Sequence, residues 1–352
     1  MTIRQWNVAV LGATGLVGET IIKVLKERNF PLNELYPLAS DRSLGKTIEF
    51  NGNKIDIIDA ETFNFSKTDI GLFSAGGEIS RQYAPKAVAT GCVVIDNTSE
   101  FRYDDDIPLV IPEVNPHAIA GFRKRGIIAN PNCSTIQMLV ALKPLHDAAH
   151  IERINVATYQ SVSGAGKAAV DELVQQTVGL MSGKGVNKPK VMPVQIAFNA
   201  IPQIDKFQDN GYTKEEMKFL WETQKILGDP EIRVNATNVR IPVFFGHSEV
   251  INIETRRKIT AAEARNLLNK APGVKVIDTK KPGGYPTAVS HAANSDTVFV
   301  GRIRDDISHE RGLNLWIVSD NIRKGAATNA VQIAEILAHD YLARDPFKPV
   351  IY

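Results

Sequence analysis

The chain has 352 residues, 43% of them hydrophobic, and its formal net charge is +2. The length predicts about two globular domains, and the balanced charge gives no electrostatic basis for binding nucleic acid or an anionic membrane. No apolar run approaches the roughly 20 residues that span a bilayer, no signal-peptide pattern begins the chain, and two cysteines cannot form a disulfide framework, so a reducing, cytoplasmic setting is expected.

The first stretch of the chain predicts a nucleotide-binding turn. Val8–Leu11 is a short apolar run typical of a buried strand, the glycine-rich turn Gly12–Gly18 follows, and apolar residues then recur at helical spacing. In this context the glycines let the backbone approach a pyrophosphate, whose charge faces the helix N-terminus. The spacing G-x-x-G-x-x-G differs from the usual G-x-G-x-x-G, so a turn that only permits tight strand–helix packing is the alternative.

The end of the second strand is expected near Leu38 and Ala39, where a Rossmann-type domain reads the ribose. Asp41 is the type of residue that favours NAD, whereas Arg42 and Ser43 suit the 2′-phosphate of NADP. Arg42 and Ser43 together favour NADP, but Asp41 leaves the choice between NAD and NADP open. A solvated loop is the alternative.

The rest of the first half alternates between strands and helices. Further strands are predicted at residues 55–58, 70–73, 93–95, 109–111 and 127–129, and a helix at 79–89. Such alternation predicts an α/β domain with a mostly parallel sheet. The segment 74–77 (Ser-Ala-Gly-Gly) follows a strand and is expected to line the cofactor cleft, and Cys92 is interpreted as a buried core thiol.

A cysteine at the start of a helix is the main candidate for chemistry. In the stretch Asn130–Thr135, Asn-Pro favours a turn, and Asn132 or Ser134 is expected to cap a helix that runs to Ala149. Cys133 would then lie at the helix N-terminus, which stabilises a thiolate and activates it as a nucleophile. The alternative is that Cys133 is a small buried apolar residue.

The second half has longer strands, which predict an antiparallel or mixed sheet with one face covered by helices. The strands are expected at 151–162, 233–240, 248–257, 297–303 and 312–318, and the helices at 167–180 and 212–227. A last amphipathic helix, residues 325–343, is expected to pack on the N-terminal domain. The predicted organisation is a dinucleotide-binding domain over residues 1–129, an α+β catalytic domain with a mixed sheet over 130–324, and a segment, 325–352, that returns to the first domain.

Several polar residues follow predicted strands and are candidates for binding or catalysis. Gln160 suits the orientation of a carbonyl, Ser163 and Gly164 would lie under a nicotinamide, and Arg102 would hold an anion or form a structural ion pair. Asn321 would lie near the cofactor. An ordinary strand-to-helix turn is the alternative for residues 160–166.

A further group of candidates is charged or titratable. Glu215 and Lys218 share one helix face, where a surface ion pair is the alternative. His247 follows Gly246 near Arg240, and an imidazole is the natural base for a thiol at neutral pH. The sequence predicts no cluster of Cys and His with metal-ligand spacing, and no metal is expected.

Together these residues resemble the aspartate-β-semialdehyde dehydrogenase family along essentially the whole chain. The matching stretches, in order, are Gly12–Gly18, Asn130–Thr135, Gln160–Gly166, Glu215–Lys218, Arg240–His247 and Asp320–Ala326. The resemblance implies a reversible reaction in which L-4-aspartyl phosphate is reduced to L-aspartate 4-semialdehyde with NADP. It also implies a homodimer formed through the second domain, and a place in the biosynthesis of lysine, diaminopimelate, threonine, methionine and isoleucine.

The resemblance also implies a role for each residue. Cys133 would form the acyl-thioester, His247 would handle the proton, and Gln160 would position the carbonyl. Arg102 and Lys218 match phosphate-binding positions, whereas Arg240 matches the α-carboxylate site and Glu215 the site near the amine. The implied cofactor contacts are Thr14, Gly15, Leu16, Val17, Arg42, Ser43, Ser163, Gly164 and Asn321.

Two alternatives remain at this stage. One is a related reductase of another acyl phosphate or of an acyl-CoA, such as an N-acetyl-glutamyl-phosphate or malonyl-CoA reductase. The other is a non-catalytic nucleotide-sensing paralogue, against which the joint presence of Cys133, Gln160, Arg240 and His247 argues.

Overall fold

The structure, a computed structural model, describes residues 4–343 and divides the chain into two compact units. The first unit comprises residues 1–131 and 326–352, and the second comprises Asn132–Gly325. Residues 344–352, the end of the expected C-terminal segment, lie outside the described residues. No helix among residues 4–343 combines the length and apolarity that crossing a bilayer requires.

The first unit is built on a six-stranded parallel sheet. Its strands, and those of a separate hairpin, are β1 (Trp6–Leu11), β2 (Leu32–Ala39), β3 (Thr47–Phe50), β4 (Asn53–Asp56), β5 (Ile58–Asp59), β6 (Ile70–Phe73), β7 (Val93–Asp96) and β8 (Ile127–Ala129). The spatial order is β5-β2-β1-β6-β7-β8, while β3 and β4 pair only with each other. Because all six strands run the same way, their carboxyl ends share one edge, where ligands bind in α/β folds.

Two helices of the first unit follow strand ends directly, α1 (Leu16–Glu27) after β1 and α2 (Gly77–Ala89) after β6. Val8, Val10, Ile70 and Leu72 are fully buried, which fits strands covered on both faces. Cys92 is also buried, so its prediction as a core thiol is confirmed.

Two strand predictions in this unit are wrong. Residues 55–58 are not one strand, since the chain passes there from hairpin strand β4 to the edge strand β5. Residues 109–111 form no strand either; only Leu109 makes an isolated bridge, to Ala129. The run at 55–58 is divided between two ladders, whereas the run at 109–111 is buried by tertiary packing with no ladder. Apolar periodicity alone distinguishes neither case from a single strand.

The second unit contains a mixed sheet and four helices. Its elements are α3 (Cys133–Ala149), β9 (Ile151–Gln160), α4 (Lys167–Met181), α5 (Lys214–Leu227), β10 (Arg233–Arg240), β11 (His247–Thr255), α6 (Ala261–Leu268), β12 (Val274–Val276), β13 (Val298–Asp305) and β14 (Gly312–Ser319). The spatial order is β10-β9-β11-β14-β13-β12, with a parallel pair at each edge and antiparallel pairs between. The predicted combination of an α/β Rossmann-type domain with a mixed-sheet domain is confirmed.

The two faces of the second sheet differ in burial. Val156, Ile251 and Leu315 lie on the face against which α3 packs, and all are buried. On the other face Val250 pairs with Trp316, whose ring centroid lies 6.0 Å from that of Tyr159. Tyr159 and Val250 keep 38% and 37% of their surface exposed, so this face carries accessible apolar side chains.

The chain ends, within the described residues, in a helix that belongs to the first unit. The α-helix α7 (Thr328–Ile336) is flanked by π-helical turns at Arg323–Ala327 and Leu337–Leu342. Ala330, Ile333 and Ala334 are fully buried in the same core as Ile21 and Leu25 of α1. Arg28 and Glu335 join the two helices by a bidentate ion pair, with distances of 2.8 and 2.7 Å.

Candidate active site

Cys133 is the first residue of α3, and Asn132 caps that helix. Oδ1 of Asn132 accepts hydrogen bonds from the backbone N–H groups of Ser134 at 3.0 Å and Thr135 at 3.3 Å. Of the two expected capping residues, Asn132 is therefore the one that acts. The half-buried Cys133 lies beside the positive end of the helix dipole, which favours the thiolate.

Asn132 also connects this helix start to α5. Its Nδ2 donates to Oε1 of Glu215 at 2.9 Å, and its backbone N–H donates to Oε2 of Glu222 at 2.7 Å. Lys218 donates to Oε2 of Glu215 at 2.7 Å and to Asp205 at 3.3 Å. Glu215 and Lys218 are thus a buried pair joined to the cysteine-bearing helix, not the surface pair that was the alternative.

The ionisation of Glu215 reflects these contacts. Burial raises its pKa, but the charge and hydrogen bond of Lys218, the amide of Asn132 and the charge of Arg240 outweigh burial and bring the pKa to about 2. Glu215 is therefore a carboxylate throughout the physiological pH range.

Gln160 lies at the carboxyl end of β9, and its side chain is almost completely buried. Its Nε2 donates to Oγ of Ser134 at 2.8 Å, which brings the amide beside the residue that follows Cys133. Arg240 ends the neighbouring strand β10 at the register position of Gln160. The parallel pairing of two strand ends thus places these two predicted residues together.

The turn that follows β9 holds the side chain of Arg240. Its Nη1 donates to the backbone carbonyl of Ser161 at 2.7 Å. Burial lowers the pKa of Arg240, whereas the negative charges of Glu215 and Cys133 act in the opposite direction, so both groups lie within electrostatic reach of the guanidinium. The arrangement presents a buried cation near the thiol.

His247 begins β11 and faces the same turn. Its Nδ1 accepts a hydrogen bond from the backbone N–H of Ser161 at 3.1 Å, while its buried Nε2 has no hydrogen-bond partner among residues 4–343. A β-carbon on Gly164 would lie 3.3 Å from Nε2 of His247 and 2.9 Å from Nη1 of Arg240. The absence of a side chain at Gly164 therefore lets the turn approach both groups closely.

Burial and the charge of Arg240 lower the pKa of His247 to about 3, against the opposing effects of Glu215 and of a hydrogen bond with the backbone of Gly246. The imidazole is neutral at physiological pH. Because Nδ1 accepts a hydrogen bond, the proton of the neutral ring lies on Nε2.

Asn321 and Ser163 form a buried network behind His247. Oδ1 of Asn321 accepts from Oγ of Ser161 at 3.0 Å, from Oγ of Ser163 at 3.2 Å and from the backbone N–H of Gly246 at 3.0 Å. These contacts fix the turn that orients the imidazole. Ser161 was missed in the sequence because nothing but its position after Gln160 distinguishes it.

The residues expected to contact the cofactor pyrophosphate and ribose lie in the first unit. Gly12 has a φ of +88°, and a β-carbon there would lie 3.0 Å from the backbone of Ala75. Gly15 caps α1, whose first turn contains Leu16 and Val17. A backbone this close, with the unpaired N–H groups of a helix start, fits a dinucleotide pyrophosphate.

A cavity of about 620 Å³ lies along this turn. Its lining includes Thr14, Gly15 and the exposed Arg42, together with Asp41 and Ser74. The side chain of Ser43 is instead buried, and its Oγ lies 3.3 Å from Oγ1 of Thr14. Arg42 is thus the member of the Arg42–Ser43 pair with an accessible side chain at the cavity.

Arg102 also belongs to the first unit, in the segment that follows β7. Its side chain is buried, and Nη2 donates to the backbone carbonyl of Asn97 at 2.9 Å. Burial raises the pKa of the neighbouring Asp96, while hydrogen bonds from Thr98 and Ser80 and the charge of Arg102 oppose this effect. Within its own unit Arg102 thus holds the backbone of Asn97 and lies within electrostatic reach of Asp96.

Comparisons with known proteins agree with this architecture. The sequence family described as "Semialdehyde dehydrogenase, NAD binding domain" matches residues 7–122, and "Semialdehyde dehydrogenase, dimerisation domain" matches residues 142–324. The chain is 62% identical over 341 residues to an aspartate-semialdehyde dehydrogenase of Legionella pneumophila, covering 97% of this chain and 98% of the relative.

Two solved structures extend the similarity. Aspartate semialdehyde dehydrogenase II from Vibrio cholerae, complexed with ASA, is 60% identical, with a TM-score of 0.94 over 96% of this chain and 99% of that one. The enzyme from Candida albicans with NADP is 25% identical, with a TM-score of 0.75 over 95% of this chain and 98% of that one. Both family matches, the identity and the coverage show that the chain belongs to the aspartate-semialdehyde dehydrogenase family.

Proposed function

We propose that this protein is an NADP-dependent aspartate-semialdehyde dehydrogenase that reversibly reduces L-4-aspartyl phosphate to L-aspartate 4-semialdehyde and phosphate through an acyl-thioester on Cys133. The observation that carries the proposal is the position of Cys133 at the capped start of α3, in electrostatic reach of the buried Arg240. A thiolate at a helix N-terminus is the nucleophile that acyl transfer requires.

In the biosynthetic direction the Cys133 thiolate attacks the acyl carbon of the acyl phosphate, a mixed anhydride. The carbon–sulfur bond forms, the bond to the phosphate oxygen breaks, and the leaving phosphate takes up one proton. The product on the protein is a thioester, and expulsion of the thiolate at the end of the cycle regenerates Cys133.

His247 acts in this proposal as a hydrogen-bond donor. Since its Nδ1 accepts from Ser161, Nε2–H is free to donate to the carbonyl oxygen as negative charge develops there. Removing a proton from the thiol through Nε2 would require the other tautomer, which places two N–H groups against each other at Ser161. The geometry therefore favours stabilisation of the oxyanion over general-base action on Cys133.

The cofactor, when bound, supplies or accepts the hydride at the acyl carbon. Gly12, Gly15 and the start of α1 would hold its pyrophosphate, and Arg42 would contact a 2′-phosphate from the rim of the cavity. NADP accompanies the Candida albicans structure, which supports this choice of cofactor.

The substrate brings two anionic groups and an amine to the site. Arg240 is assigned to the α-carboxylate because a planar guanidinium can form two parallel hydrogen bonds. Lys218 and Arg102 are assigned to phosphate, and Glu215 to the amine. Since Glu215 already binds Lys218 and Asn132, an incoming amine would share its oxygens with these donors.

A homodimer through the second domain is part of the proposal. The matched family is described as a dimerisation domain, and the accessible face around Tyr159, Val250 and Trp316 is an apolar surface of the kind that a second copy covers. The reaction belongs to amino-acid biosynthesis, where its product would serve the formation of lysine, diaminopimelate, threonine, methionine and isoleucine.

The decisive experiment is a spectrophotometric assay with aspartate semialdehyde and phosphate, run separately with NADP and NAD. Reduction of NADP that requires both substrates is expected. Activity with an acyl-CoA but none with phosphate would assign the chain to a different reductase, and absence of turnover with a bound nucleotide would identify a sensing protein.

A further inference from the structure

A second cluster of ligand side chains lies in the second unit, at the other end of the helix that Cys133 begins. His146 lies in the last turn of α3, His150 follows the helix end, and Asp229 follows α5. His146 is 13 residues beyond Cys133, about 20 Å along a helix that rises 1.5 Å per residue. The cluster is therefore separate from the proposed active site.

The potential ligand atoms of the three residues converge. One atom from each of His146, His150 and Asp229 lies within 4.8 Å of the other two, and Nε2 of His150 is 3.6 Å from Oδ2 of Asp229. Two ligands of a tetrahedral zinc ion with bonds of about 2.0–2.1 Å are roughly 3.3 Å apart. Small side-chain adjustments would bring the three atoms to that spacing.

The carboxylate is held in place with one oxygen left available. The backbone N–H of Glu231 donates to Oδ1 of Asp229 at 3.0 Å, whereas Oδ2 is buried and has no hydrogen-bond partner among the described residues. A buried carboxylate oxygen without a partner is costly, and a cation would satisfy it. Gly228, with a φ of +65°, ends α5 and directs the chain so that Asp229 meets the two imidazoles.

We propose that His146, His150 and Asp229 bind a divalent transition-metal ion, best fitted by Zn²⁺, with solvent as the remaining ligand. Two imidazoles and a carboxylate form a ligand set that suits zinc and, in the same geometry, cobalt. A cavity of about 230 Å³ lined by His150 and Asp229 adjoins the cluster and gives solvent access to it.

One existing contact must give way on binding. Nδ1 of His146 accepts a hydrogen bond from the backbone N–H of Ile151, at the long distance of 3.3 Å. If the metal binds Nδ1 it replaces this bond, and if it binds Nε2 the ring proton moves to Nδ1 and the bond is again lost. The length of the bond makes this replacement a small obstacle beside the metal–ligand bond.

The electrostatic surroundings permit a cation. Arg233 and Arg256 line the adjoining cavity, but Glu152 and Glu231 do so too, and Arg256 donates to Glu152 at 3.0 Å.

A bound ion would join the far ends of α3 and α5. These helices carry Cys133 and the Glu215–Lys218 pair, so the metal would stabilise the framework of the second unit without touching the reacting atoms. In the sequence, the His-x₃-His spacing of 146 and 150 is the local signal for this site, whereas Asp229 lies 79 positions after His150 and joins the two histidines only in the fold.

The test measures metal binding directly, in untagged protein that carries Cys133→Ala so that the reactive thiol cannot bind the ion. Isothermal titration with Zn²⁺ is expected to show one ion per chain, and Co²⁺ to give the visible absorption of a tetrahedral complex. His150→Asn suits the positive φ of 50° at this position, and Asp229→Asn keeps the acceptor for Glu231. Each should weaken binding by at least about tenfold.

His117→Ala, at an exposed histidine of the first unit, is the matched control and should leave the affinity unchanged. Zn²⁺ should also raise the melting temperature of the parent but not of the two site variants, whose folding is checked by circular dichroism. Absence of stoichiometric binding in the parent overturns the proposal, as does binding that survives both site substitutions.

Discussion

The backbone N–H of Ser161 donates to Nδ1 of His247 at 3.1 Å, and this contact decides which imidazole nitrogen holds the proton. Protonation of Nδ1 would place two donors against each other, in addition to the cost of charging a buried ring next to Arg240. The candidate active site thus contains a neutral histidine with a defined tautomer.

For His247 we therefore predict a neutral ring with its proton on Nε2 from pH 9 down to about 5, since its pKa is about 3. In the unfolded chain a histidine protonates near about 6.5. The depressed pKa contributes stability that is present above pH 6.5 and is lost as the pH falls towards 3. Nitrogen-15 NMR of histidine-labelled protein, with His247→Ala to assign the signal, measures the tautomer; an imidazolium signal at pH 6 would contradict it.

Cys133→Ser is expected to abolish nearly all turnover while folding and cofactor binding persist, because a serine hydroxyl is a far weaker nucleophile than a thiolate. Mass spectrometry after incubation with a semialdehyde analogue should find the adduct on Cys133. Cys92→Ala, at the buried cysteine of the first unit, is the control and should keep the activity per folded molecule. An adduct on Cys92, or full activity of Cys133→Ser, would contradict the assignment of Cys133 as the nucleophile.

Arg42→Ala should raise the KM for NADP about tenfold and change the KM for NAD little, if one charge-assisted contact of about 1.5 kcal/mol to the 2′-phosphate is lost. The side chain is exposed at the rim of the cavity, so the substitution removes no packing. Arg42→Lys keeps the charge and should give an intermediate value. Equal increases for both cofactors would instead make Asp41 the discriminating residue.

Arg240→Lys should reduce kcat/KM for the semialdehyde by about 10- to 150-fold, which corresponds to roughly 1.5–3 kcal/mol for a lost charge-assisted bond. Lysine keeps the charge but cannot form two parallel bonds to a carboxylate. Lys218→Ala should chiefly raise the KM for phosphate. Because this second change also leaves the buried Glu215 without its cation, urea unfolding must first establish that the variant is folded. If Arg240→Lys chiefly raises the KM for phosphate and Lys218→Ala chiefly lowers kcat/KM for the semialdehyde, the roles of the two residues are the reverse of those proposed.

Glu249→Gln should stabilise the protein more at pH 8 than at pH 5. Burial raises the pKa of Glu249 well above its usual value, and only the amide of Gln137 opposes this effect. Below about pH 4.3, the pKa of a glutamate in the unfolded chain, Glu249 is protonated in both states and its pKa shift does not change the free energy of unfolding. As the pH rises above that value the unfolded chain ionises while the folded protein does not, so the folded protein becomes progressively less stable. Melting temperatures of both proteins from pH 5 to 8 measure the difference, and a constant difference would show that Glu249 is ionised in the fold.

The sequence was sufficient for those parts of the fold that depend on local pattern. Short apolar runs predicted β6 and β8 at their observed bounds, and the Asn-Pro-Asn turn predicted a helix that begins at Cys133. The hairpin of β3 and β4 was not predicted, because most of its residues are exposed and it contains no long apolar run. The run at 109–111 was predicted as a strand but makes only the bridge at Leu109, because packing against other segments buries it.

In the candidate site, too, local sequence pattern identified residues, whereas contacts between distant segments could not be predicted. Residue types at strand ends indicated Gln160, Arg240 and His247, but the bonds that orient them join residues 79 and 86 positions apart. The sequence therefore could not show that Ser161 fixes the imidazole. Nor could it show that Ser43, unlike Arg42, is buried, because exposure depends on how the loop packs on Thr14.

Asn132 illustrates how one side chain can be restricted by two independent demands. Its carbonyl oxygen caps α3, while its amide hydrogens bind Glu215. Aspartate would satisfy the first demand but set two carboxylates against each other, and serine or threonine would be too short to reach both partners. The choice of residue at this position is accordingly narrower than helix capping alone would require, because the atom that does not cap must also donate a hydrogen bond to Glu215.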